Sequence, residues 1–198
     1  MIERGGPAAL LALLTALTPV GAAAQTAIEV TCPGQLGVGV ETGLEFCDVR
    51  TGLDPAAGIV VRVPRHRGTA LLSFDLHNRH TYSEQAVQAG TAFARYTATI
   101  GVLTLENTLI ERATIESEFR TAADLVDRVG GGAGEDGLKA IAPIGTERIF
   151  VEIPAGVNEV SILGEYLEIV RREGRERYSA AGRPIAVVSR IEVDYRAR

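Results

Sequence analysis

Tryptophan is absent from this chain, lysine occurs once (Lys139), histidine three times and cysteine twice. Each shortage removes a class of reading. Without tryptophan, a sugar-stacking platform would rest on five phenylalanines and five tyrosines, thin material for carbohydrate recognition. The two cysteines, Cys32 and Cys47, are too far apart for a C-x-x-C redox or zinc motif. No G-x-S-x-G elbow occurs, so the common serine-hydrolase turn is missing. The glycine-rich run "GGGAGEDG", residues 130–137, leads into Leu138-Lys139 rather than the Gly-Lys-Ser/Thr of a phosphate cradle. Nowhere do strands alternate with long helices, which speaks against a nucleotide-binding parallel sheet. A formal charge of −5 and a pI near 5.3 give no overall pull on nucleic acid or anionic lipid.

What is present begins with a leader. Residues 1–24 carry Arg4, an apolar run from Ala8 to Leu17, a break at Thr18-Pro19 and a small-x-small end at Ala22-Ala23-Ala24. The run is shorter than the ~20 apolar residues that span a bilayer. A secretory signal peptide cut before Gln25 is expected, leaving residues 25–198 as one domain that spans no membrane. The A-x-A signal and the arginine bias suggest a bacterial source, with export to the periplasm or the medium. Cys32 and Cys47 form an even pair in an exported chain, which predicts a disulfide.

The remainder alternates with period two, the signal of half-buried strands. In "PIAVVSRIEVDY", Ile185, Val187, Ile191, Val193 and Tyr195 fall on one face, with Ser189 the single polar exception. In "TALLSFDLH", Ala70, Leu72, Phe74 and Leu76 share a face opposite Ser73, Asp75 and His77. "GIVVRV", "ERIFVEIP" and "NEVSILGEYLEIV" read the same way. The apolar phase of the last one switches at Gly164, which predicts a β-bulge, and Gly101 is expected to do the same in its own strand. Two short helices fit between strands: one capped by Thr81 with Glu84 and stopped at Gly90, the other capped by Thr121 with Asp124 and running to Gly130. The pattern predicts an all-β fold, a two-sheet antiparallel β-sandwich of immunoglobulin-like or jelly-roll order, with one or two short helices in the connections.

The histidines cluster in "DLHNRH". Asp75 and His77 lie two apart on a strand and so point the same way. His80 could fold back toward them from a following turn, and His66 could join them. One carboxylate and two imidazoles would suit a divalent metal, the only cofactor the sequence raises. Against it, Arg79 sits inside the motif, and a helix capped at Thr81 would put its positive end beside His80. The competing expectation is a solvated strand end. Ser73 is ~13 Å from His77 along an extended strand, so no Ser–His pair forms there. Glu135 and Asp136 offer too few ligands for calcium. Two arginine clusters remain. In "RREGRER" the glutamates neutralise the arginines, whereas Arg65, His66 and Arg67 have no interleaved acid and are the better candidates for ligand binding.

Three functions follow as expectations. The leading one is an exported, non-catalytic binding or structural module of the bacterial cell envelope, acting on a protein or envelope partner. The second is a glycan-binding accessory module, which requires Phe93 and Tyr82 exposed beside a polar cleft. The third is a metal-binding protein or metal-dependent enzyme built on Asp75, His77 and His80. The balance leans away from an enzyme.

Overall fold

The computed structural model describes residues 28–130 and 138–197. The leader (1–24) and the Glu135–Asp136 pair lie outside the described residues. Among the described residues eleven strands and one α-helix form. β1 (Glu29–Thr31), β2 (Gln35–Val38), β3 (Glu45–Arg50), β4 (Ile59–Arg62) and β5 (Ala70–Ser83) precede α1 (Glu84–Gln88). After it come β6 (Ala94–Thr104), β7 (Leu109–Phe119), β8 (Leu138–Ile153), β9 (Glu159–Arg171), β10 (Gly174–Tyr178) and β11 (Pro184–Asp194). They build two antiparallel sheets, packed face to face as a sandwich. One runs β1-β4-β9-β6-β7 with β10 also on β9, the other β2-β3-β11-β5-β8. The chain crosses repeatedly between the sheets, so each turn signal in the sequence serves either a hairpin or a crossover.

The core lies between the sheets, where the predicted apolar faces meet. Ala70, Leu72, Phe74 and Leu76 of β5 face Val160, Ile162, Leu167 and Ile169 of β9, with Ile100 of β6 and Ile153 of β8 among them. Residues of one parity before Gly164 and of the other after it both reach this core. Glu165 is the extra residue, since Thr99 pairs with Tyr166 and Ile100 with Gly164. The bulge expected at Gly101 does not form. Gly101 keeps register with both Arg112 and Leu163, because the extra residue in β9 already absorbs the phase change.

Three further expectations are corrected. Bulges at Ile185 and at Arg190–Ile191 break the parity of β11, so Val187 turns away from the core while Ala186 and Val188 enter it. The first helix starts at Ser83 rather than Thr81. Thr81 is still paired with Ile141 of β8, and Ser83 Oγ accepts from Ala86 N at 3.2 Å. The second helix shrinks to one 3-10 turn, Ala122–Asp124. Its capping box forms as expected, with Thr121 N donating to Asp124 Oδ2 at 2.8 Å.

Beyond that turn, residues 125–130 run extended as a strap. Val126 N donates to Pro143 O and Val129 N to Ile141 O, both at 2.9 Å, on the outer edge of β8. On its other side the strap bridges Gly39, and Val40 N donates to Arg128 O at 3.1 Å. The second sheet is thereby tied from its last strand back to its first. Beneath the strap Phe46, Val129 and Val187 form a second small core, with Leu36 and Leu44 against it. That enclosure decides the character of the polar face described next.

Candidate functional site

Ser73, Asp75 and His77 share the face of β5 turned away from the main core, as their parity requires. They are not solvated. Asp75 and His77 are each only 1 % exposed. Asp75 accepts from Arg190 Nε at 2.5 Å and from Arg148 Nη1 at 3.2 Å, a carboxylate held between two guanidiniums. Arg148 also reaches Ser73 Oγ at 2.8 Å, the carbonyl of Arg190 at 2.9 Å and Glu192 at 2.5 Å. Nearby, Arg79 pairs with Asp48 at 2.9 Å. Burial raises the Asp48 carboxyl above its ordinary range, against the opposing pull of Arg79 and Arg50.

His77 is fixed at both ring nitrogens. Nδ1 lies 2.7 Å from the carbonyl oxygen of Gly145, and a carbonyl only accepts, so Nδ1 carries the proton. Thr146 Oγ1 is 3.2 Å from the same nitrogen. In the neutral ring Nε2 is then an acceptor, and Ser189 Oγ donates to it across 2.9 Å. Gly145 sits at φ +67°, a conformation that favours glycine, and a Cβ there would come within 2.8 Å of Ser117. Burial lowers the His77 pKa, partly offset by the Gly145 carbonyl and the charge of Asp75, while Arg190 adds to the lowering. Phe46 meets the ring edge-on at 5.7 Å between centroids.

His80 faces the other way. β5 does not turn at Asn78 but stays extended to Ser83, so residues 77 and 80, of opposite parity, point to opposite faces of the sheet. His80 Nδ1 meets Tyr96 OH at 2.8 Å, and its ring stacks on Phe119 at 3.8 Å. Burial and the charge of Arg171 lower its pKa to about 4. The expected Asp75–His77–His80 metal set is therefore not brought together, and His66 is in a separate loop. Among the described residues no group of three or more His, Cys, Asp or Glu is placed to hold a metal ion.

Arg65, His66 and Arg67 do come together with other elements. The loop after β4 pairs with the end of the chain: His66 bridges Ala197, and Arg67 N donates to Arg196 O at 2.9 Å. A cleft of about 720 Å³ opens there, lined by Arg65, His66, Arg67, Gly68, Ala155 and Asn158. His66 itself is buried, with Nδ1 3.0 Å from Pro64 O. Arg65 and Arg67 are exposed and have no ion pair among the described residues. Three of the four arginines of the second cluster are engaged internally: Arg171 pairs with Glu176, Arg175 with Glu168, and Arg177 covers the Tyr166 ring.

The aromatic platform beside the histidines is not there. Tyr82 is 4 % exposed, edge-on to Phe119 and covered by Arg128. Phe93 is half-buried under Arg120. Reasoning from sequence does not single out Ser189 as a partner for His77, because the two are 112 residues apart. Its one signal is the polar break in an otherwise apolar alternation.

The Cys32–Cys47 disulfide is present, with Cα atoms 6.0 Å apart. It joins the end of β1 in one sheet to β3 in the other. Among the described residues no helix is long and apolar enough to cross a membrane.

No protein-family model matches the chain, and no curated protein matches it. Among solved structures it has a distant likeness to the infectious bursal disease virus VP2 subviral particle. That alignment has 12 % identity and a TM-score of 0.28, and covers 91 % of this chain but 42 % of the viral one. A likeness at that level carries no argument about fold or role.

Proposed function

We propose that this protein is an exported binding module of the bacterial cell envelope, taking an anionic partner at the basic end formed by Arg65, Arg67 and Arg196. One observation carries the reading. Five arginines of the sheets, Arg62, Arg79, Arg112, Arg148 and Arg190, are spent in ion pairs. Those beside the cleft have none among the described residues, although the chain as a whole is acidic. Guanidinium groups left free around a concavity suit the carboxylates or phosphates of an envelope component. The disulfide supports export, since such bonds persist in oxidising compartments.

The test titrates residues 25–198 against phosphatidylglycerol vesicles and, separately, an anionic oligosaccharide, with phosphatidylcholine vesicles as the neutral control. Binding to one anionic probe, weakened by salt, is expected. Arg65→Glu/Arg67→Glu should lower it tenfold or more, given ~1 kcal/mol for each basic group near an anionic surface. Which probe binds identifies the source of the anion. Affinity unchanged in the double variant, or no binding to either probe, would sink the proposal.

A further inference from the structure

The geometry points to a second site: Ser189 and His77 form a nucleophile–base pair that hydrolyses small esters entering a notch in the second sheet. This goes beyond the binding reading and does not depend on it. Pairing between β3 and β11 stops where Cys47 faces Val188. Past that point the strands part around an opening of about 660 Å³, lined by Thr31, Gln35, Leu44, Phe46, Ser189 and Arg190 among others.

Four features converge on Ser189. Its hydroxyl donates to His77 Nε2 at 2.9 Å, the contact through which an imidazole activates a serine. The Gly145 carbonyl at Nδ1 fixes the tautomer, the task that a buried aspartate performs in a Ser–His–Asp triad. Asp75, on the same face as His77, offsets part of the burial that disfavours the imidazolium formed on proton transfer. Finally, Arg190, the next residue, is held at φ +49°, an uncommon conformation for a non-glycine residue and one that recurs at functional turns. It sits in the β11 bulge, where Arg190 and Ile191 together face the single Phe74 of β5. Their peptide N–H groups, out of step with the β5 ladder, are the candidates to receive an oxyanion.

The chemistry balances without a further reactant. As Ser189 Oγ attacks the ester carbonyl carbon, its proton passes to His77 Nε2. The bond to the alcohol oxygen then breaks, and the alcohol leaves with that proton. Water, deprotonated by the same nitrogen, cleaves the acyl-serine to the acid, and the proton returns to Oγ. Ser189 is 2 % exposed, so only a narrow acyl group such as acetyl reaches it.

The test treats folded residues 25–198 with methanesulfonyl fluoride, whose sulfonyl group carries a single methyl, then maps the adduct by peptide mass. In that reaction an S–O bond to Oγ forms, S–F breaks, and fluoride departs with the serine proton. A single adduct on Ser189 is expected, with release of nitrophenol from p-nitrophenyl acetate that disappears in Ser189→Ala. His77→Gln, provided it melts cooperatively, should slow labelling at least a hundredfold, the ordinary scale of general-base assistance. No adduct on Ser189 in the unaltered protein, or equal labelling in a folded His77→Gln, would overturn the inference. Absence of labelling at Ser189 in the unaltered protein overturns the assignment whether or not the His77 variant folds.

Discussion

His80 shows what burial does to a single titratable residue. The ring is neutral in the folded protein, with a pKa of about 4 against an ordinary 6.5. On acidification the unfolded chain therefore takes up the proton first. The stability that depends on neutral His80 is complete above pH 6.5, declines as the pH falls, and is lost once it passes 4. The difference amounts to about 3 kcal/mol at most. His77 is shifted in the same direction and adds to the slope. Urea midpoints measured from pH 7.5 down to 4 should drop steadily, and His80→Phe should flatten that curve. An unchanged slope in the variant would mean that His80 is not the buried neutral base described. Asp75 makes a complementary case. Asp75→Ala would leave Arg148 and Arg190 without their shared carboxylate, at a cost of about 1–3 kcal/mol, since Arg190 is half-exposed and Arg148 keeps Glu192. A thermal melt of the variant, set against one of the exposed Glu192→Ala, checks it. Alternation along β5 makes it legible that Asp75 and His77 share a face. That the face is buried is not legible, because its cover comes from Arg148, Arg190 and a strap far away in sequence.

At the scale of elements, the strap over 125–130 is where local signal and tertiary structure diverge. Thr121 and Asp124 close a capping box, and the local signal alone favours a helix. Yet the gain from hydrogen bonding Val126 and Val129 to β8, and from placing Val129 over Phe46 and Val187, outweighs a short helix that could not stand alone. Gly164 is readable for the opposite reason: a bulge leaves its mark directly in the phase of the apolar residues. The strap is latched by Asp127, whose carboxylate accepts from Thr42 N at 2.8 Å, Thr42 Oγ1 at 2.6 Å and Glu41 N at 3.1 Å. Gly39 lies so close that an added Cβ would stand 2.2 Å from Asp127 Oδ2. Gly39→Ala must therefore push the latch open, at a cost of ~1–3 kcal/mol typical of overpacking. Hydrogen exchange should speed up at Val126 and Val129 while the β5 amides keep their protection. Uniform protection in the variant would show that the carboxylate moves aside without releasing the strap.

At the scale of the molecule, two-residue alternation announces a sandwich, but nothing in it gives the strand order. Which strands become neighbours depends on long-range pairings such as β3 with β11, and these leave no local trace. The disulfide is the exception, a long-range contact that the sequence declares through its only two cysteines. Its position gives it a particular task. β1 has three residues and one strand partner, β4, so little besides the Cys32–Cys47 bond holds it to the sandwich. Closing a loop of this size stabilises by ~3 kcal/mol in the chain-entropy model. Cys32→Ala/Cys47→Ala should lose about that much, read as a lower urea midpoint. The loss should also be uneven. Exchange should rise first at Glu29, Val30 and Thr31 and along the wall of the notch at Glu45 and Phe46. β5, paired on both sides with β8 and β11, should keep its protection until global unfolding. A double variant that loses stability with no early exchange in β1 would place the effect of the bond in the unfolded chain alone. Early exchange confined to β1 and the notch would make the disulfide the clamp that holds the edges of the two sheets together.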